Sequence, residues 1–432
     1  MVKTPELLCP AGSPEKMRYA LAYGADAVYA GIPRFSLRAK ENPYNNNSLI
    51  EDIEYCHRMD KKIYVTANIL PPNRKLESFK KSLAIMAEAE PDGIIMSDPG
   101  MIQYVRKEFP DLPVHLSVQT NTINWMSVAF WRDQGVKRII LSRELSIQEL
   151  QEIHTQVPDM ELESFVHGSI CIAYSGRCLL SNYFNHRDAN QGTCTNSCRW
   201  EYNVQPETPE GEHTTKVPAG DYFIEEKGRN GDHMPIEEDE HGTYIMNSKD
   251  LRAIEHIEEL WKAGVESFKI EGRTKSIYYL SLITKAYRKA INSMVEKKPF
   301  DPELLRETEK TANRGFTTAF LLSGASRATE RFDSPQEENL PQIYAGQIIN
   351  ERAGNWVEVD VKNRIEIGHE IEYISPKNNY RFSISSMEND HGVALTVAHG
   401  GNGSVWMKMD GPVDPFALLS RIIDSPVHSS AS

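Results

Sequence analysis

The sequence predicts an α/β fold: a (β/α)₈ TIM-type barrel followed by a small all-β, barrel-like C-terminal domain. Three observations predict it. Short apolar runs recur along the first two thirds of the chain, each ending in small or polar residues. Amphipathic stretches with helix start and stop signals separate them. After residue 325 the pattern changes to short alternating runs punctuated by Gly, Asn and Asp.

The apolar runs are ELLCPAG (6–12), DAVYAG (26–31), KIYVTANI (62–69), GIIMSD (93–98), VHLSVQT (114–120), RIILSREL (138–145), ELESFVHGS (161–169) and ESFKIEGR (266–273). Several are apolar and β-branched throughout, as strands covered on both faces must be. In GSPEKMRYALAYG, Ser13 suits a helix cap, Pro14 the first helical position and Gly24 the end. In SIQELQEI, Ser146 and Glu149 have capping-box spacing. Eight such units predict a barrel over 1–325. A doubly wound sheet with a dinucleotide site is disfavoured, because no Gly-x-Gly-x-x-Gly follows the first strand. The polar stretch at 326–342 reads as a linker. The runs AGQIINE, NWVEVDV, HEIEYIS, YRFSISS, GVALTVA and GSVWMKM make a small β domain over 343–425.

The 432 residues carry a formal net charge of −13. That balance argues against coating nucleic acid non-specifically, since phosphate neutralisation needs Lys and Arg, but it leaves room for a local basic face. Residues 207–240 hold eleven Asp or Glu against Lys216, Lys227 and Arg229, and read as a solvated acidic insertion at about 203–242. No run of roughly 18 apolar residues exists, so no membrane contact is expected. The N-terminus lacks a basic-then-apolar leader. A cytoplasmic location follows as the expectation, and there clustered thiols bind metals or act as nucleophiles rather than form disulfides.

In a barrel, chemistry sits at the C-terminal ends of the strands. That rim offers Cys9, Asn68, Asp98, Gln119, Arg143, Glu144, His167, Lys269, Glu271 and Arg273. Just beyond the seventh run lie four of the chain's six cysteines, Cys171, Cys178, Cys194 and Cys198, spaced Cys-x₆-Cys-x₁₅-Cys-x₃-Cys. Four thiolates suit an iron–sulfur cluster or a structural zinc, and the spacing alone decides neither. Arg177, Arg187 and Arg199 interleave with them. Lys269, Arg273, Lys275, Lys285, Arg288 and Lys289 follow, so a positive mouth for an anion or a phosphate backbone is expected.

ESFVHGSICIAYSGRCLLS (163–181), with Glu163, Phe165, Gly168, Ser169, Cys171, Gly176, Cys178 and Ser181, resembles the signature of the collagenase-like peptidase family U32. NQGTCTNSCRWEYNV, EDEHGTYIMNSKDLRAIEHIE, VESFKIEGRTKS and NRGFTTAFL are similar to the branch of that family concerned with tRNA modification, over effectively the whole chain. The resemblance implies prephenate-dependent hydroxylation of the wobble uridine to 5-hydroxyuridine. It implies a 4Fe–4S cluster on Cys171, Cys178, Cys194 and Cys198. The expected partners are a tRNA anticodon loop, the dicarboxylate prephenate and an electron-donor protein. An unpaired loop base can be splayed into a pocket without breaking a helix. A dicarboxylate calls for Arg or Lys, for which Arg143, Arg177, Lys269 and Arg273 are the candidates. His167 and Glu271 are the candidates for acid–base work. Arg199, Lys275, Arg288 and Lys289 are those for RNA.

Two rival readings stand beside this one. The family name asserts a peptidase, but no His-Glu-x-x-His or Gly-x-Ser-x-Gly occurs, and four clustered cysteines suit ligands better than one nucleophile. The other rival is a metal-stabilised RNA-binding protein without catalysis.

Overall fold

The computed structural model describes residues 4–37, 42–171, 173–195, 197–199, 222–225, 233–239, 242–244, 247–322, 330–331 and 340–423. Most of the acidic insertion and of the 326–342 stretch lies outside them.

Eight parallel strands form the barrel: β1 (Glu6–Ala11), β2 (Ala27–Gly31), β3 (Lys62–Ala67), β4 (Gly93–Met96), β5 (Val114–Leu116), β6 (Arg138–Ile140), β7 (Glu161–Ser169) and β8 (Val265–Ile270). They pair in chain order. β8 closes the ring by pairing with both β7 and β1, with Lys269 opposite Phe165 on one side and Leu8 on the other. All five residues of β2 are buried, as a parallel strand covered on both faces requires. Beyond the barrel, Gly168 and Ser169 of β7 pair antiparallel with the short strand Asp250–Arg252, which runs beside Phe316–Thr317.

The connecting helices are α1 (Pro14–Ala22), α2 (Asn46–Arg58), α3 (Leu76–Glu88), α4 (Pro99–Glu108), α5 (Trp125–Asp133), α6 (Ile147–Gln156), α7 (Ile257–Lys262) and α8 (Ile277–Val295). Their starts follow local chemistry. Ser146 and Glu149 form the expected capping box on α6. Asp98 accepts from Met101 N at 2.9 Å and caps α4, with Pro99 in its first turn.

Contacts divide the chain into two compact units. The first runs over Met1–Pro14, Ala27–Arg273 and Asn313–Gln336; the second over Glu15–Asp26, Thr274–Ala312 and Glu337–Ser432. Helices α1 and α8 therefore group with the β domain, not with 1–325 as the sequence boundary supposes. The reason is an apolar cluster in which Tyr19 of α1, Tyr23 just after it, and Tyr278 and Leu282 of α8 meet Ile374 and Leu418. The buried Tyr23 hydroxyl donates to the carbonyls of Ile374 and Phe416, both at 3.0 Å.

The β domain is an antiparallel sheet. Its long strands are β9 (Gln342–Arg352), β10 (Trp356–Val361), β11 (Glu370–Ile374), β12 (Asn379–Ser383), β13 (Ser404–Lys408) and β14 (Leu418–Ile422), in the order β12-β11-β14-β9-β10-β13. Val357, Val359 and Val361 alternate inward along β10, the period-two pattern of a half-buried strand.

Tyr23→Phe keeps the ring and strands the two carbonyls. It should cost about 1–2 kcal/mol of stability, measured as a lower denaturant midpoint with an unchanged m-value.

Candidate active site

The barrel interior is charged. Arg138 on β6, only 2% exposed, reaches Glu6 at 2.7 Å, Glu161 at 2.5 Å and Glu163 at 3.0 Å. It also donates to the Tyr64 hydroxyl at 3.2 Å, which in turn donates to Glu6 at 2.6 Å. Glu163 is fully buried and takes a second cation, Lys269 of β8, at 2.6 Å. Two cations and three carboxylates thus bind β1, β6, β7 and β8 from inside.

Burial raises the Glu6 carboxyl's pKa, but Arg138 more than reverses this and holds it below its ordinary value. Burial likewise opposes the Arg138 charge, and Glu6 and Glu163 outweigh it, lifting that guanidinium further above the usual range. Lys269 goes the other way. Desolvation lowers its pKa in spite of Glu163. His115 on β5, its ring tilted against that of Tyr64 with centroids 4.7 Å apart, is pushed well below its ordinary value by burial and then by Arg138, so it stays neutral.

Above this network a cavity of about 170 Å³ opens at the C-terminal rim. Lys269, Tyr29 and Phe165 contribute to its walls. The Lys269 ammonium lies 4.4 Å from the Tyr29 ring centroid and 5.5 Å from that of Phe165. Arg143 stacks its guanidinium 3.7 Å over Phe165 and stands 4.0 Å from Glu271. Arg273 donates to Thr66 Oγ1 at 3.3 Å. Tyr29 donates to the Ile270 carbonyl at 2.9 Å, and burial keeps its hydroxyl protonated far above the usual phenol range. On the opposite wall, Ser97 donates to Gln119 Oε1 at 3.1 Å and Asn68 donates to Ser117 at 3.4 Å.

Cys171, Cys178, Cys194 and Cys198 all line this same cavity. Hydrogen bonds hold their loop. Asn121 donates to the Ser175 carbonyl at 3.1 Å, and Arg143 donates to the Ser175 hydroxyl at 3.2 Å. Ser181 accepts from Thr195 N at 3.0 Å and reaches Cys194 Sγ at 3.6 Å. Gly176, at φ +74°, lets the loop lie on Gln119, where a Cβ would come within 3.2 Å of the amide. Gly12 ends β1 against Arg273, where a Cβ would fall 1.9 Å from the carbonyl oxygen. Among the described residues no three His, Cys, Asp or Glu side chains converge closely enough to hold one metal ion. The four thiols are spread around the cavity.

The sequence matches peptidase family U32 over residues 12–331 and the U32 C-terminal domain over residues 341–420. The chain belongs to peptidase family U32. This U32 protein is 48% identical over 441 residues to tRNA hydroxylation protein P of Escherichia coli (strain K12), with 96% of each chain covered. It is 45% identical over 445 residues to tRNA hydroxylation protein P of Haemophilus influenzae, again with 96% of each covered. The 23S rRNA 5-hydroxycytidine C2501 synthase of E. coli is 31% identical over 346 residues, which span 78% of this chain and 48% of that protein. Among the described residues no helix is long and apolar enough to cross a membrane.

Of the candidates from the sequence, Arg143, Lys269, Glu271, Arg273 and the four cysteines meet at the cavity of the U32 barrel, with Asn68 and Gln119. Others do not. His167 is 1% exposed and is absent from the cavity lining; its ring packs 5.6 Å from Phe316. His167 sits at the end of the barrel pairing, opposite Ile270 of β8 on one side and Arg252 on the other, with its ring packed against Phe316 rather than on the cavity wall, so it is not placed for acid–base work there. Arg177 is exposed and does not line the cavity. Lys275 and Arg288 belong to the second unit and have local partners: Lys275 reaches the Ala312 carbonyl, and Arg288 bonds Gly24 O and Asp26. Lys289 is exposed on α8. The Arg199 side chain lies outside the described residues. Asp98 is a helix cap, and Glu144 accepts from Ser142. Sequence reasoning missed Tyr29, Phe165, Thr66 and Ser175. The two aromatics look like core, and only strand-end position could have marked them.

Removing one member of the buried network leaves an uncompensated charge. Glu163→Gln should destabilise by about 3–5 kcal/mol, read as a fall in melting temperature, while the exposed Glu77→Gln should change it little. A depressed carboxyl pKa stabilises above the ordinary value and loses that contribution as pH falls through the folded value. The stability gap between wild type and Glu6→Gln should therefore narrow as pH drops below 4.5, the ordinary value for that carboxyl, in denaturant titrations at stepped pH.

Proposed function

We propose that this U32 protein is a cytoplasmic tRNA-modifying enzyme that hydroxylates the wobble uridine to 5-hydroxyuridine, with prephenate as co-substrate and a 4Fe–4S cluster as cofactor. The observation that carries the reading is the 48% identity, over 96% of both chains, to a protein named for tRNA hydroxylation. A second relative is named as a 5-hydroxycytidine synthase acting on rRNA, so the same family includes a protein named for hydroxylating a pyrimidine base in RNA.

The chemistry of the cavity supports this. Cys171, Cys178, Cys194 and Cys198 would hold the cluster. Four soft thiolate donors lining one cavity are the donor set that an iron–sulfur cluster takes. When bound, the cluster supplies electron transfer. Arg143, Lys269 and Arg273 offset thiolate charge on the same walls. Arg143 and Arg273 are the groups for a dicarboxylate, because a planar guanidinium pairs with a carboxylate through two bonds. Lys269 is less available, since Glu163 already holds its ammonium at 2.6 Å. Tyr29 and Phe165 give a ring-shaped co-substrate flat apolar surface. Glu271 is the acid–base candidate left on the walls once His167 is set aside.

The family name favours a peptidase as the second reading. A thiol peptidase needs an imidazole beside its cysteine. Among the described residues the cavity lining has four cysteines and no histidine.

The test is mass spectrometry of nucleosides from bulk tRNA, in cells lacking this protein and any redundant hydroxylase. Wild type should restore 5-hydroxyuridine derivatives and Cys178→Ala should not; unchanged nucleosides throughout would remove tRNA as the substrate. With purified protein, Arg143→Ala should raise the prephenate concentration needed for half-maximal modification by at least about tenfold, or about 1.4 kcal/mol.

A further inference from the structure

A second cleft on the first unit shares no lining residue with the cavity. It holds about 950 Å³ and runs between α3 and α4. Asn73 and Asp98 stand at its rim end, where the chain leaves β3 and β4. Lys80 projects from α3. Arg106 and Lys107 close the far end of α4, and Tyr104 lies between. The cleft therefore descends the outer wall of the barrel from the face on which the cavity opens. Leu70 and Lys75, next in the chain to the lining residues Pro71 and Leu76, bond the cysteine loop: Gln191 donates to the Leu70 carbonyl and accepts from Lys75 at 3.1 Å.

The charge of this cleft stands against a body of −13. Its lining carries Lys80, Arg106 and Lys107 against Asp98, whose carboxylate already caps α4. Beside it the segment 74–81 reads RKLESFKK, with Arg74, Lys75, Lys80 and Lys81 against Glu77. Lys80 stands 5.3 Å from the centroid of the Tyr104 ring, so one cation spans both helices. Its bond to Glu77 at 2.9 Å and that of Lys107 to Glu108 at 3.8 Å are exposed pairs, worth little and readily exchanged for a phosphate. Ten residues of α4 extend about 15 Å, the reach of a few successive phosphates.

We propose that the α3–α4 cleft is the docking surface for the phosphate backbone of the tRNA whose loop base enters the cavity. The proposal rests on the tRNA reading above and adds where the stem lies. The cleft supplies affinity and register without reading bases, as phosphate contacts do. An acidic protein partner would use the same cations, and the experiment separates the two.

The experiment is binding of an unmodified tRNA transcript to the full chain across a salt series. The variants are Lys80→Gln/Lys107→Gln, with both sites solvent-accessible and the fold retained, and Lys377→Gln in the β domain as control. Each lost phosphate contact lowers the slope of log K against log salt by about 0.7–0.9. The double variant should lose about 1.4–1.8 from the slope and bind several-fold more weakly at 0.15 M salt, with Lys377→Gln unchanged. Wild type that binds tRNA with the same slope as the double variant would overturn the docking surface alone, and would leave the cations to a protein partner. Wild type that fails to bind tRNA would overturn the substrate reading together with the docking surface.

Discussion

Arg138 is the group on which the rest of the barrel depends. Its guanidinium lies inside the ring of strands, where an ion is costly unless it is paired; both terminal nitrogens are paired, and the buried Nε has no hydrogen-bond partner among the described residues. Glu6, Glu161 and Glu163 come from β1 and β7, the Tyr64 hydroxyl from β3, and Lys269 from β8 shares Glu163. A one-residue slip of β7 or β8 would turn these groups to the other face. The network therefore specifies register where the barrel closes, between β7, β8 and β1. An apolar core of equal volume would be as stable or more so. It would not hold an ammonium against Tyr29 at the floor of the cavity.

That floor explains the division of labour at the site. Arg143, Lys269 and Arg273 sit on or just past strands, where packing fixes rotamers, whereas the cysteines sit on a loop. A loop can hold four thiols in place only if it is tied down. The ties run to rigid parts: Ser175 to Asn121 and Arg143, Gly176 onto Gln119, Gln191 to Leu70 and Lys75. The connection after β7 is thus held by groups following β3, β5 and β6. Its shape depends on barrel closure, though no barrel strand pairs with it.

The barrel was legible because its signals are local. All eight apolar runs became strands, and Ser146 with Glu149 capped α6 as their spacing implies. The four cysteines and the cations of the sixth and eighth runs were legible as well, since strand ends share one face of a barrel. What failed depended on direction and on distant partners. Nothing in ELESFVHGS shows that the His167 ring, at the end of the barrel pairing, packs against Phe316 instead of lining the cavity. Asp98 has the residue type and position of a site group, yet its oxygen serves the first turn of α4. Tyr19, Tyr23 and Tyr278 carry no local signal of what they meet; their partners are Ile374 and Leu418, some hundred residues or more away in the chain. Periodicity reports which face is apolar and does not say what covers it.

The family's name and the cavity's composition point to different chemistries, and the physics of the walls favours the second. A barrel rim is a neutral scaffold; function belongs to the groups placed on it. Peptide hydrolysis by a thiol needs one activated sulfur with an imidazole beside it. The lining instead has four sulfurs, two guanidinium groups, a constrained ammonium and two aromatic faces, in a protein whose overall charge is strongly negative. Cations gathered in a concave, poorly solvated space focus the local potential although the body is acidic. Such a cavity selects for anions small enough to enter, and repels larger ones except where the outer surface also turns positive. The contrast between an acidic body and a cationic cavity is thus a property of the walls themselves, and it does not depend on the family name.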